Sequence, residues 1–419
     1  MPRLLRRSPI SHLIAVLLLL SSALLVLGPA NAGERSSRAV TGAKLTVPTS
    51  AVLTLSGRGF GHGRGLSQYG AEGAARQGLT AAQILAFYYP GTTLGHQGGT
   101  ISVLIGADTT PDTRVVMRSG LIVRSSNGKA SWNLAALRPT ATQWRLNPRS
   151  ATKTAIAWRA KTGGWKRLTT STSVLEFWAG GAPIALVKPS GTSRYRGALR
   201  NAPYSGRDHD TVNVVGLEDY LKGVVPSEMP ASWSPAAVQA QAVAARTYAA
   251  YSRAHASKRK QYQICDSTSC QVYKGVAGEA SAANAAIKAT QGLTLMYGGK
   301  PAFTQFSSSS GGWTVAGTVA YQKAKADPYD NWSGNRQRSW TVTVSPAAVA
   351  RAWPAIGKLT ALQVLSRDGN GDWGGRVLRL RLIGTAGSTT VDGTAFRSVL
   401  GLKSTYFDVG VSAAPTRKK

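Results

Sequence analysis

The chain has 419 residues, with 50 Lys plus Arg against 18 Asp plus Glu, a formal net charge of +32. That length is enough for one large domain or two to three smaller ones with a sizeable core. With only two cysteines, Cys265 and Cys270, a cysteine-only zinc site is excluded, because four ligands are needed and His255 is the nearest histidine.

Arg3, Arg6 and Arg7 precede an apolar run from Leu13 to Leu27, and Ala30-Asn31-Ala32 is a small-x-small sequence. This pattern predicts an export signal over residues 1–32, cleaved after Ala32. The apolar run is short for a membrane span, and no later run is long enough. Charge this positive would suggest nucleic acid inside a cell. In an exported chain it points instead to anionic wall polymers and head groups, so no nucleic-acid partner is expected. Export also predicts a disulfide between Cys265 and Cys270.

Residues 33–49, polar and rich in Ser, Arg and Thr, are expected to form a mobile linker. In GRGFGHGRGLSQYGA, residues 57–71, glycine then occupies every second position from Gly57 to Gly65. As an extended strand this would put the glycines on one face and Arg58, Phe60, His62 and Arg64 on the other. Glycine in a strand marks close approach of another backbone. The GxxxxGK[ST] order is absent, so this is no phosphate loop. Ser67 can cap a short helix stopping at Gly78. Thr80-Ala81-Ala82-Gln83 has the form of a capping box, opening a helix through Tyr88.

From about 100 to 205, short Val/Ile/Leu/Trp runs alternate with Gly, Pro, Asn and Ser, predicting strands and hairpins. Residues 96–193 are expected to form a β-rich insert, with Trp132, Trp144, Trp158 and Trp165 either in its core or on a glycan-binding face. Helix signals concentrate in 211–330. Ser234-Pro235 predicts a helix start, and alanine-rich sequence continues to Tyr251. Val238, Ala242 and Ala245 form a packing stripe, while Gln239, Arg246 and Arg253 share another face. Just upstream, Glu228 lies between two prolines and is expected in a rigid loop. Met229 and Trp233 would raise its pKa, and Arg246, if close, would lower it.

FTQFSSSSGGWT (303–314) gathers hydroxyls ahead of two glycines, a set of donors and acceptors suited to sugar. No GxSxG elbow or triad order is present. Strands are expected again from 338 to 410, as in Trp340–Val344 and Val377–Leu382. Asp368-Gly-Asn-Gly-Asp372 begins like a calcium loop, but Arg379 stands where a bidentate glutamate belongs, so a hairpin turn is expected.

The segments VVPSEMPASW, AVQAQAVAARTYA, CDSTSCQVYKG, SSSSGGWT and GRGFGHGRGLSQYGA together resemble the stage II sporulation protein D / amidase enhancer family. The resemblance covers residues 51–95 and about 194–410. It implies an α+β fold with the β-rich insert, and a circular permutation that brings the glycine–histidine motif to the front. It implies an exported, cell-wall-located protein acting on peptidoglycan: a lytic transglycosylase cleaving glycan strands, with Glu228 as single general acid/base. Carried over residue by residue, Arg246, Ser308, Ser309 and Ser310 are expected to bind substrate, and His62, Arg58 and Gln68 of the glycine–histidine stretch are expected to join them. Some members hold zinc through cysteines and nearby histidines. Ser269 stands where such a histidine would, so no metal or other cofactor is expected. The alternative is a non-catalytic wall-binding module that recruits or enhances an N-acetylmuramoyl-L-alanine amidase, making that amidase a candidate partner. A basic tail, 411–419, closes the chain.

Overall fold

A computed structural model describes residues 42–48 and 50–413. The expected signal segment 1–32, residues 33–41 and 49 of the expected linker, and residues 414–419 of the basic tail lie outside the described residues. The fold is α+β. Among the described residues no helix is long and apolar enough to cross a membrane.

Two hydrophobic cores organise the described residues. The larger surrounds the helix Pro235–Ala254, whose Ala237, Val238, Ala242 and Ala245 are fully or nearly fully buried. Alanine is the best helix former and lets neighbouring elements approach closely, so the helix can be covered on several sides. Helices Gln68–Arg76, Ala81–Tyr88, Leu217–Glu228 and Ser281–Ala289 pack around it. Proline occupies its first position, where the missing N–H costs nothing. The backbone N–H of Ser234 donates to Glu72 Oε2 at 2.8 Å, which joins this helix start to Gln68–Arg76. The two N-terminal caps are as expected. Ser67 accepts from Gly70 N, and Thr80 and Gln83 cap each other reciprocally.

A seven-stranded sheet runs in the order 264–265, 100–104, 208–216, 198–205, 175–178, 122–125, 131–133, beside a six-stranded sheet built from 113–195. The expected insert is therefore no separate body. Strand Thr100–Leu104 pairs with Asp208–Gly216, strand Leu175–Trp178 pairs with Ala198–Ser205, and the 193/194 boundary falls inside strand Gly191–Tyr195. Trp144 is fully buried in the shared core. Trp165 lies under the guanidinium groups of Arg145 and Arg159.

The smaller core lies between a three-stranded sheet (340–344, 51–57, 407–413) and a four-stranded one (44–46, 359–367, 377–384, 387–392). This corrects two expectations. Residues 44–46 of the linker are a strand paired with 361–363, with Val47 buried beside it. Residues 411–413 of the tail end the last strand. Asp368–Asp372 forms part of the turn between Leu359–Arg367 and Val377–Gly384, as a hairpin turn requires.

The glycine repeat is where the expectation and the fold part. The strand stops at Gly57, and Gly59, Gly61, Gly63 and Gly65 all have positive φ, from 64° to 102°. The period of two arises from a loop that reverses hand at alternate residues, a conformation glycine adopts at no steric cost. Close approach, however, is as expected. A Cβ on Gly59 would stand 2.8 Å from Ser309 O, and one on Gly65 would stand 2.0 Å from Gln305 O. Phe60 and Ser309 exchange both backbone hydrogen bonds, and Val315 N donates to Gly63 O. The loop is thereby laid along residues 305–315.

Candidate active site

Glu228 is the last residue of helix Leu217–Glu228, not part of a loop. Pro226 is accommodated inside the last turn, and Ser227 Oγ donates to Gly223 O at 2.8 Å. Helix geometry ends at Met229, which is extended (φ −136°, ψ 140°) as a residue before proline should be. The chain is thus stopped so that the Glu228 carboxylate projects from a helix end.

That carboxylate borders a cavity of about 190 Å³. Four other segments complete its lining: His62 from the glycine loop, Tyr248 from the central helix, Thr268, Ser269 and Cys270 from the disulfide loop, and Gln305 and Phe306. The disulfide Cys265–Cys270 is formed as expected. The next residue, Gln271, is fully buried; it accepts from Tyr220 OH and donates to Ala245 O. This clamp delivers Val272 N to Glu228 Oε1 at 2.6 Å.

Desolvation raises the pKa of Glu228, opposed by the Val272 N–H and by the charge of Lys274. Met229, 1% exposed, is part of the apolar surroundings. Burial also lowers His62 to about 4, with the positive charges of Arg64, Arg376 and Arg397 acting in the same direction. The imidazole is neutral at neutral pH. Arg64 N donates to its Nδ1 at 3.0 Å, which leaves the ring proton on Nε2.

Arg246 is not near this carboxylate. It is fully buried and bidentate to Glu218, at 2.7 and 2.8 Å, and donates to Leu293 O and Ile287 O. A guanidinium saturated in this way holds elements together and cannot reach substrate. The serine run is also corrected. Ser309 and Ser310 are buried, with hydroxyls donating to Asp330 Oδ2 (2.7 Å) and Asp327 Oδ2 (2.8 Å). Ser308 is partly exposed but outside the cavity lining. Gln68 is buried as the first residue of its helix. Arg58 lies on the surface, paired with Asp372 at 2.5 Å. Of the expected binding residues, His62 alone joins Glu228 in the cavity.

Asp327 and Asp330 are the residues that sequence reasoning passed over. Asp330 accepts from Ser67 Oγ, Ser309 Oγ, Asn335 Nδ2 and the backbone N–H of Ser310 and Gly311. Asp327 accepts from Tyr88 OH and Ser310 Oγ, and burial together with the charge of Asp330 raises its pKa. The available signal was two acids three apart, downstream of a hydroxyl run, in a chain with so few acids. Among the described residues, no group of three or more His, Cys, Asp or Glu is arranged to hold a metal.

Residues 205–297, which contain Glu228, Arg246 and both cysteines, match the family model described as stage II sporulation protein. An amidase enhancer of Bacillus subtilis (strain 168) is 40% identical over 131 residues, 30% of this chain and 17% of that protein. An uncharacterised protein of Brachyspira hyodysenteriae is 38% identical over 123 residues, 29% of this chain and 32% of that protein. Stage II sporulation protein D of Bacillus subtilis (strain 168) is 28% identical over 225 residues, 48% of this chain and 62% of that protein. The chain therefore spans less than two thirds of each of these relatives, and its glycine–histidine loop and serine run lie outside the family-model match. The match to the stage II sporulation protein family is thus carried by residues 205–297, and the chain is similar there to proteins named amidase enhancer and stage II sporulation protein D.

Proposed function

We propose that the protein cleaves peptidoglycan glycan strands as a lytic transglycosylase, with Glu228 as its one acid/base. The observation that carries this reading is that Glu228 is, among the described residues, the only carboxylate lining the cavity. Most glycosidases flank the scissile bond with two carboxyl groups, about 5–9.5 Å apart, one acting as nucleophile or activating water. A single acid suffices when the substrate supplies its own nucleophile. Glu228, whose pKa burial raises so that it holds a proton more readily than a free carboxyl, donates to the glycosidic oxygen as the C1–O4 bond breaks. The resulting carboxylate takes the proton of the C6 hydroxyl as O6 bonds to C1. A 1,6-anhydro end forms, no water is consumed, and the acid is restored.

The remaining lining residues position rather than react. Neutral His62, which also hydrogen-bonds to the Phe306 backbone, presents its ring edge to a sugar hydroxyl or N-acetyl oxygen. Gln305, Thr268 and Ser269 offer uncharged polar groups, and Tyr248 and Phe306 offer apolar ring surface for a pyranose. The basic surface would hold the protein against anionic wall polymers. Purified protein lacking residues 1–32, incubated with peptidoglycan, is expected to release fragments one water lighter than hydrolysis products. Fragments with free reducing ends instead would rule out this mechanism.

A second reading is favoured by the 40% identity to a protein named amidase enhancer. In it the cavity only grips glycan, and the protein raises the turnover of a separate amidase. Unchanged glycan ends together with faster amidase release of stem peptides would select that reading.

A further inference from the structure

The hairpin DGNGDWGG, residues 368–375, is not used by the proposed mechanism, yet it carries the one non-glycine residue with positive φ among the described residues. Trp373 has φ 56° and ψ 16°. Left-handed backbone is costly for a bulky side chain, and such outliers persist where surrounding structure enforces them, often at binding sites. Here the enforcement is visible. Asp372 N donates to Tyr406 OH at 2.7 Å, and Asp368 Oδ1 accepts from the N–H groups of Asn370 and Arg376. The effect is to hold a large indole 37% exposed.

Trp373 lines a cleft of about 310 Å³ with Leu45, Val364, Val409, Arg367 and Asp408. Arg367 is buried; it donates to Gly375 O, Phe407 O and Asp408 Oδ1. The Asp408 side chain is half-exposed, and its Oδ2 has no donor among the described residues. The chemistry is that of a sugar site. An indole face suits the C–H face of a pyranose, a half-free carboxylate accepts hydroxyl hydrogen bonds, and the aliphatic side chains suit an acetamido methyl. Charge selects a neutral ligand, because Arg367 is matched by Asp408 and the neighbouring Arg58 by Asp372.

The cleft is also tied to the glycine loop that carries His62. The Arg58 guanidinium lies 5.8 Å from the Trp373 ring centroid, and Arg376 at the hairpin base donates to Gly61 O and Ser310 O. We propose that Trp373, Asp408 and Arg367 form an auxiliary binding site for one N-acetylated hexose of a glycan chain, separate from the Glu228 cavity. The choice of a glycan as ligand rests on the reading given under Proposed function.

The test uses Glu228→Gln protein, so that ligand is not consumed, grown with 5-fluorotryptophan. The fluorine resonance absent from Trp373→Gly, and confirmed by its absence from Trp373→Phe, belongs to Trp373. Adding a β-1,4-linked N-acetylglucosamine tetramer is expected to shift that resonance saturably. In calorimetric titrations, Trp373→Gly should weaken binding at this site at least about tenfold. Its melting temperature should be equal or higher, because glycine suits this backbone. A Trp373 resonance unmoved at saturating tetramer, or moved only by a teichoic-acid-type polyanion, overturns the proposal. Its failure is separable from failure of the transglycosylase reading, which is judged by glycan ends released by the protein with Glu228 intact.

Discussion

Glu228 and Asp330 are both acids drawn out of water, but the protein treats them differently. Glu228 takes one backbone N–H from Val272 and otherwise faces a cavity. Asp330 is fully buried and surrounded by Ser67, Ser309, Asn335 and two backbone N–H groups. Desolvation without a full set of donors raises a carboxyl pKa and leaves its proton available to a ligand. A buried carboxyl group surrounded by many donors is instead fixed in place and becomes a structural tie. The second acid serves the first. Asp330 holds Ser67 and residues 309–311, the glycine loop lies along that segment, and the loop carries His62 into the cavity.

The largest contrast between the two acids should appear on conservative substitution. Glu228→Gln removes only an exchangeable proton, so glycan cleavage is expected to fall about 10²–10⁴-fold with the melting temperature within a few degrees of the parent. Activity near that of the parent would remove Glu228 from the mechanism. Asp330→Ala should do the reverse. It strands buried donors and is expected to cost about 3–5 kcal/mol of unfolding free energy in urea titration. A loss below about 1 kcal/mol would mean the serine–aspartate cluster does not brace the loop.

A smaller effect is expected at Gly65. Alanine there must adopt φ near 64° and place its Cβ 2.0 Å from Gln305 O, so the backbone has to shift. Gly65→Ala should cost about 1–3 kcal/mol and raise KM through displaced His62. The adjacent Arg64→Ala, an exposed change, is the control. Equal stability of the two variants would show that the loop tolerates movement.

How far these features were legible depends on whether their partners are local. Ser67, the Thr80–Gln83 box and Ser234-Pro235 were legible because a cap bonds within three residues of itself. The strands Trp340–Val344 and Val377–Gly384 were legible from their β-branched and leucine-rich runs. The disulfide was legible from export and spacing, and Glu228 and His62, the first expected through a family motif, border one cavity. What failed depended on distant partners. Arg246 was placed on the correct helix, but its partner Glu218 lies 28 residues upstream on another. The serine run was identified as hydroxyl-rich, but its burial follows from Asp327 and Asp330. The glycine period was clear, yet a strand and a loop of alternating hand share a period of two. The boundary at 193/194 failed because pairing of 100–104 with 212–216 is invisible to local pattern.

The gentlest way to separate the two regions is pH. His62 is held at about 4 by burial and by the charges of Arg64, Arg376 and Arg397. The unfolded chain takes up that proton near pH 6.5, where the folded chain refuses it. Stability from His62 is therefore complete above about pH 6.5, declines as pH falls, and levels off near 4, a loss of at most about 3 kcal/mol. The acids run the other way. Burial raises both Glu228 and Asp327, with the charge of Asp330 adding to the rise at Asp327. Each folded acid keeps a proton that its unfolded form releases near pH 4, so that contribution is present in acid and lost as pH rises. The two slopes oppose each other over much the same range, and the parent's urea midpoint should change little between about pH 4.5 and 7. His62→Gln removes one slope. The variant should then gain stability relative to the parent as the buffer is made acid, by about 1–3 kcal/mol at pH 4.5. Asp327→Asn should give the opposite tilt. Parallel profiles for His62→Gln and the parent would mean that the imidazole titrates freely and that the cavity is wetter than its packing implies.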